Sequence, residues 1–107
     1  MAYESGSLDA TLAAAAGEDI ALLAELRGAL VESAERQLDL LRRARCDGNW
    51  QVAAMRLKGL AATFHAEELL TASEEALAAV PGEPGALRRI EQAIQHLGGP
   101  GTRPNFA

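Results

Sequence analysis

One long helical stretch sets the fold of this chain: residues 18–45, which read EDIALLAELRGALVESAERQLDLLRRAR. Apolar residues recur in it at steps of three and four, so they form a single stripe along one side of a helix. That stripe consists of Ile20, Leu23, Leu26, Leu30, Ala34, Leu38 and Leu41. Acidic residues stand at its N-terminal end and arginines at its C-terminal end, which complements the helix dipole. The stretch therefore predicts a long amphipathic helix with one buried side.

Shorter helical segments flank this long helix and are separated from it by turn residues. They are predicted over residues 8–16, 50–64, 66–80 and 85–97, with a tail over 98–107. Ser7 is expected to cap the first of them and Asn49 the one that starts at Trp50. Val80 is expected to face inward at the end of its helix. Four amphipathic helices joined by short turns predict an all-α, antiparallel up-and-down four-helix bundle with a short N-terminal helix, in a single domain over 1–107.

Composition and charge narrow the class of protein. The chain has 107 residues, among them 23 alanines and 16 leucines, which favour helix over strand. Its formal net charge of −5 argues against nucleic acid as a partner, because a nucleic-acid binder needs a basic face. The single cysteine, Cys46, excludes an intrachain disulfide. With no bilayer-spanning run and no signal-peptide pattern, we expect a cytoplasmic protein with no membrane partner.

Motifs for catalysis or for metal and cofactor binding are missing from the sequence. It has no phosphate-binding glycine loop and no nucleophile elbow. The paired glutamates at 67–68 and 74–75 lack the histidine spacing of a di-iron site, so they are read as solvated charges. His96 has no partner pattern and is read as a structural or surface residue. We therefore expect no enzyme activity, no cofactor and no bound metal.

The helix predicted over 50–64 has an unusual outer side. Taking Leu57 and Phe64 as the direction of the core, Met55 points about 160° to 180° away from it. The other residues on this side are Gln51, Lys58, Gly59 and Ala62, and Arg56 stands next to it. A methionine on a helix is usually core filler, but here the core side is already occupied by leucine and phenylalanine. A mid-helix glycine on the solvent side indicates that something approaches the backbone closely. Together these residues predict a docking surface.

The same stretch resembles the histidine-containing phosphotransfer (HPt) domain of bacterial phosphorelays. The central pattern of that family is Ala-His-x-Leu-Lys-Gly, then small and apolar residues, then Gly-Ala and a later leucine. Residues 54–59 read AMRLKG and residues 65–69 read HAEEL. The residues that fall in register are Leu57, Lys58, Gly59, Ala66 and Leu69. The specific part of the resemblance covers residues 54–69, and the pattern of helices extends it over about residues 8–97.

Two departures from the family pattern decide what the resemblance implies. The phosphoacceptor histidine of the family falls on Met55, whose thioether has no nucleophilic nitrogen, and a later glycine falls on His65. The resemblance thus implies a degenerate phosphotransfer domain that binds a receiver domain of a response regulator, or a histidine kinase, without carrying phosphate. It also implies that Lys58 faces the acidic pocket of the receiver.

Two alternatives stay open at this stage. One is a helical interaction or dimerisation module unrelated to phosphorelay, in which Met55 belongs to a self-association patch. The other is an atypical carrier that uses His65, which lies about 15 Å along the helix from Met55. For the chain itself we expect a monomer or a weak homodimer.

Overall fold

The computed structural model describes residues 5–98, and within this range the chain is entirely helical. The five helices are α1 (Ser5–Ala16), α2 (Ile20–Arg43), α3 (Asp47–Phe64), α4 (Glu67–Leu77) and α5 (Pro84–Leu97). No strand occurs in the described range. The all-α prediction is confirmed, and every predicted helix has a counterpart with shifted ends. No helix within 5–98 has the length and apolar character needed to cross a bilayer.

A single hydrophobic core lies between the helices. Each helix packs against the next one along the chain, α5 also contacts α2, and α1 also contacts α3. All five helices contribute side chains to this core, including Leu8 and Leu12 of α1. Its largest fully buried side chains are Trp50, Leu12, Leu41, Leu57, Leu69 and Ile90. Most of the predicted apolar stripe of α2 lies in or against this core, and Ile20 is the exception.

The predicted position of Ile20 is wrong, since this side chain is 83% exposed. The helix begins at Ile20 and not at residue 18, because the carboxylate of Asp19 caps it and accepts a hydrogen bond from the backbone N–H of Leu22 at 3.0 Å. Ile20 therefore opens α2 at the turn from α1, outside the core cluster. At the other end α2 stops at Arg43, because Ala44 adopts an extended conformation.

The start of α3 also differs from the prediction. The helix begins at Asp47, three residues before the predicted start, and its N-cap is Cys46 and not Asn49. The backbone N–H of Trp50 already donates to the carbonyl of Cys46 at 3.1 Å. The predicted turn is thus the first turn of the helix, where the charge of Asp47 suits the positive end of the dipole.

Three smaller corrections concern α1, α4 and α5. Ser7 lies inside α1 and does not cap it. The predicted inward position of Val80 is wrong, because α4 ends at Leu77 and Val80 is 69% exposed. The proline at 81 disfavours a helical conformation of the residue before it, so the helix cannot reach Val80.

Helix α5 begins at Pro84 and is capped by Glu83, whose carboxylate accepts from the N–H of Ala86 at 2.7 Å. Gly98 caps α5, and the rest of the predicted tail lies outside the described residues.

Helix α1 is held against α2 and α3 by apolar and polar contacts. Leu8 and Leu12 are buried in the core. The guanidinium of Arg27 on α2 pairs with the carboxylate of Asp9 at 2.5 Å and donates to the carbonyl of Leu97 at 2.9 Å. One arginine thereby joins the N-terminal helix and the end of α5 to α2.

Candidate functional site

Two side-chain hydrogen bonds fix which side of α3 faces outward. The indole N–H of the fully buried Trp50 donates to the carbonyl of Ala76 at 2.7 Å. One residue further, the amide nitrogen of Gln51 donates to the carbonyl of Leu77 at 3.1 Å. Both acceptors lie in the last turn of α4, where carbonyls lack helical partners. These bonds hold the N-terminal half of α3 against the end of α4, and Met55, about 140° around the helix from the buried Trp50, faces solvent.

Met55 lies in the middle of α3 with 53% of its surface exposed. On the core side, Ala54 and Leu57 are completely buried. Its exposure is therefore a property of the packing and does not come from an unravelled end. We call the exposed surface of α3 made by Gln51, Met55, Lys58, Gly59 and Ala62 the Met55 face. The structure places all five on the side of α3 away from the core, with Lys58 at its partly buried edge.

Gly59 lies one turn after Met55 and has no packing reason to be glycine. A Cβ atom built on Gly59 would meet no neighbouring atom within 4 Å, and its backbone is helical. Glycine inside a helix costs about 1 kcal/mol relative to alanine. The fold does not require this cost, so the space above the backbone at Gly59 is open for another molecule.

The two basic residues of the predicted site point to opposite sides of the Met55 face. The ammonium of Lys58 stands 3.9 Å from a carboxylate oxygen of Glu74 on α4, with both side chains partly exposed. Such a surface pair contributes at most about 1 kcal/mol, so Lys58 can exchange this partner for another. Arg56 lies on the other side, over α2, and has no carboxylate partner among residues 5–98.

Arg56 lines a groove between α2 and α3, which we call the arginine groove. It has a volume of about 430 Å³, and its polar lining includes Ser33, Arg36, Gln37 and Thr63. Arg36 donates to the hydroxyl of Ser33 at 3.2 Å and has no carboxylate partner within the described range. The side-chain oxygen of Gln37 is buried and accepts no hydrogen bond from any described residue. A buried acceptor without a donor costs about 1–3 kcal/mol.

A second depression continues the arginine groove along the same seam. It measures about 480 Å³ and is lined by Leu40, Arg43, Val52 and, again, Arg56. Sequence reasoning missed the exposed side chains of Leu40 and Val52. Val52 could have been found, since it lies about 60° from Met55 on the helix. Leu40 lies outside the buried stripe of α2, and the sequence alone does not show that it neighbours Val52 of α3.

His65 ends α3 in a left-handed conformation, with φ of 59°. Its ring nitrogen Nδ1 lies 2.8 Å from the hydroxyl of Thr11, which itself donates to the carbonyl of Ser7 at 3.0 Å. A hydroxyl has one proton to donate, so when Thr11 donates to Ser7 it accepts from Nδ1 of His65. In the tautomer that this arrangement favours, Nδ1 carries the hydrogen and Nε2 has the lone pair.

The remaining sequence candidates lie apart from the Met55 face. His96 pairs with Glu68, Nδ1 to carboxylate oxygen at 2.7 Å, and joins α5 to α4. Cys46 is exposed at the start of α3. Within residues 5–98, no group of three or more histidine, cysteine or acidic side chains has the geometry to hold a metal ion.

Comparison with known proteins identifies no family for this chain. The chain matches no protein-family model, and searches of curated proteins and of solved structures found no match either.

Proposed function

We propose that the chain is a pseudo-phosphotransfer protein of a bacterial two-component phosphorelay. In this proposal helices α2 to α5 form an antiparallel up-and-down four-helix bundle, with α1 as the short N-terminal helix. The Met55 face, together with Arg56, binds the receiver domain of a response regulator or a histidine kinase, and no phosphoryl group is carried. The protein acts in the cytoplasm by occupying the partner surface that an active phosphotransfer domain would use.

The observation that carries this proposal is the position of Met55. The HPt resemblance puts the phosphoacceptor here, and a phosphoacceptor must stand exposed in the middle of a rigid helix. Met55 is exposed there, with open space above Gly59 and a charged Lys58 beside it. Covering a large apolar side chain in such a place removes apolar surface from water, which contributes favourably to the free energy of binding.

The conformation of His65 supports the register of the resemblance independently. The family has a glycine at this position, and His65 is the single non-glycine residue within 5–98 whose φ is positive. Glycine is the residue that adopts this left-handed conformation most readily at the end of a helix. The resemblance thus puts a glycine where the backbone favours one.

The charge of the surface fits an acidic partner site. Lys58 has only a weak, exposed carboxylate partner, and Arg56 has none among the described residues. In a chain of net charge −5, these two cations give one surface a local sign opposite to the whole. Opposite local charge steers association and fixes orientation more than it adds affinity.

Calorimetric titration of the full chain against purified receiver domains and histidine kinase domains tests the proposal. Wild type is expected to bind at least one of them, and Met55→Glu to lose that binding. Ile20→Glu is the matched control, because it places the same charge on another exposed apolar residue, at the start of α2. Absence of binding across the panel, or equal loss in both variants, would contradict the proposal.

The His65 carrier is the second candidate, and the Thr11 contact is the observation that favours it. In the tautomer with the proton on Nδ1, this contact leaves Nε2 of an exposed ring as the nucleophile. Transfer from an aspartyl phosphate would form the Nε2–P bond, break the acyl phosphate bond and release the aspartate carboxylate. Acid-labile phosphate on wild type that disappears in His65→Gln would favour this candidate over the first.

A further inference from the structure

Three arginine side chains line the seam between α2 and α3, although the chain as a whole is acidic. Of the arginines within residues 5–98, Arg36 and Arg56 both lack a carboxylate partner, and both line the arginine groove. Arg43 lines the neighbouring depression and pairs only with Asp39, four residues earlier on its own helix. Neither depression has an acidic residue in its lining. The seam therefore presents two arginines without a carboxylate partner, Arg36 and Arg56, in line with the paired Arg43.

An apolar strip runs beside these arginines. Leu40 and Val52 line the second depression, and Met55 follows Val52 by three residues on the same helix, so the two are neighbours on its surface. All three are exposed. Apolar side chains flanked by cations are the complement of a helix that carries leucine-type residues on one side and carboxylates on its flank.

The size of the seam and the open backbone at Gly59 fit such a helix. From Asn49 to Thr63 the two depressions follow α3 for about 21 Å, which is the length of about four helical turns. Gly59 leaves its backbone open to a second helix.

We propose that the α2–α3 seam binds an acidic amphipathic helix of a partner protein, with its carboxylates on Arg36 and Arg56. Its apolar residues cover Leu40, Val52 and Met55. The inference goes beyond the proposed function, because Arg36 and Leu40 lie on α2, outside the six residues assigned to receiver docking. It holds for an acidic helix from any class of protein.

The test is a nuclear magnetic resonance titration of the isotopically labelled full chain. The probe is a synthetic helical peptide of about 15 residues, long enough for four turns, with leucines along one side and glutamates on the flank. The expected result is saturable shifts of the backbone amides of Gly59 and Thr63. Replacement of every glutamate of the peptide by glutamine is expected to weaken binding about tenfold.

Charge reversal in the protein locates the binding site. Arg36→Glu is expected to weaken binding by about fivefold or more, since it turns an attraction into a repulsion. Arg88→Glu is the matched control, because Arg88 is an exposed arginine on α5 with no carboxylate partner in the described range. The Arg88 variant is expected to bind as wild type does.

Three outcomes would overturn the inference. The first is the absence of saturable shifts in the seam with peptide at millimolar concentration. The second is equal weakening by Arg36→Glu and Arg88→Glu. The third is equally tight binding of a single-stranded oligonucleotide of the same charge, which would assign the seam to nucleic acid. None of these readouts involves a receiver domain, so the inference and the proposed function can fail separately.

Discussion

The indole N–H of Trp50 donates a 2.7 Å hydrogen bond to the carbonyl oxygen of Ala76, and this bond sets the rotation of α3 against α4. Trp50 and Met55 lie about 140° apart around the helix axis. Burial of the indole therefore turns the methionine to solvent. The exposed surface proposed as a docking site is thus a consequence of how the core is built.

Trp50→Phe is expected to lower the free energy of unfolding by about 1–3 kcal/mol. The variant loses a buried hydrogen bond and leaves space where the second ring of the indole packs. Urea denaturation followed by circular dichroism measures the loss. Gln51→Ala removes a similar bond from an exposed position and is expected to cost less than about 1 kcal/mol. If the two variants lose the same stability, the role given to Trp50 is wrong.

Gly59→Ala is expected to stabilise the chain by about 0.5–1 kcal/mol, because alanine is the better helix former and its Cβ meets no atom within 4 Å. Gly28→Ala in α2 has the same open surroundings and is expected to give the same gain in urea denaturation. The two variants are expected to differ in the calorimetric titration, where only Gly59→Ala weakens binding of the receiver domain. Equal binding by both variants would show that the open space at Gly59 serves no partner.

Arg27→Met is expected to cost about 1–3 kcal/mol of stability. Arg27 is only 19% exposed and bonds both Asp9 and the carbonyl of Leu97, so its loss leaves polar groups of two other helices without their partner. Arg43→Met serves as the control, since its pair with Asp39 is well exposed and contributes about 0.5 kcal/mol or less. Thermal unfolding of the two variants compares them, and a larger loss for Arg43→Met would contradict the account.

His65→Gly is expected to be more stable than His65→Ala by about 1 kcal/mol. Both variants lose the contact with Thr11, but only glycine relieves the left-handed backbone at φ 59°. The comparison cancels the hydrogen bond and isolates the backbone preference. Equal stability of the two in urea denaturation would remove this support for the register of the resemblance.

The sequence predicts the helices better than their ends. The strict spacing of leucines in α2 identifies a helix because a buried side must repeat with the helical period. The end of α4 could not be read from that period alone, because the apolar spacing continues to Val80, whereas Pro81 keeps the helix from reaching that residue and α4 ends at Leu77. The sequence places the start of α3 too late, because the turn-like residues Asp47, Gly48 and Asn49 form the first turn of the helix.

The candidate site also has one part that the sequence predicts and one part that it does not. The outward direction of Met55 follows from the helical wheel, because Leu57 already occupies the core side. The arginine groove could not be predicted, since it needs the lateral placement of Arg36 on α2 next to Arg56 on α3. Pairing between helices is a tertiary property, and a single amphipathic pattern does not specify which neighbour a polar residue meets.

The central claim is that α3 keeps a phosphotransfer docking surface without the phosphoacceptor, and Met55→His tests it most directly. Wild type and the variant are incubated with a panel of receiver domains carrying aspartyl phosphate, and acid-labile phosphate on each is measured. The account predicts that wild type binds a receiver and stays unphosphorylated, while the variant takes the phosphoryl group onto the new imidazole. If neither protein binds a receiver and the folded variant gains no phosphate, the docking surface serves another purpose and the central claim is wrong.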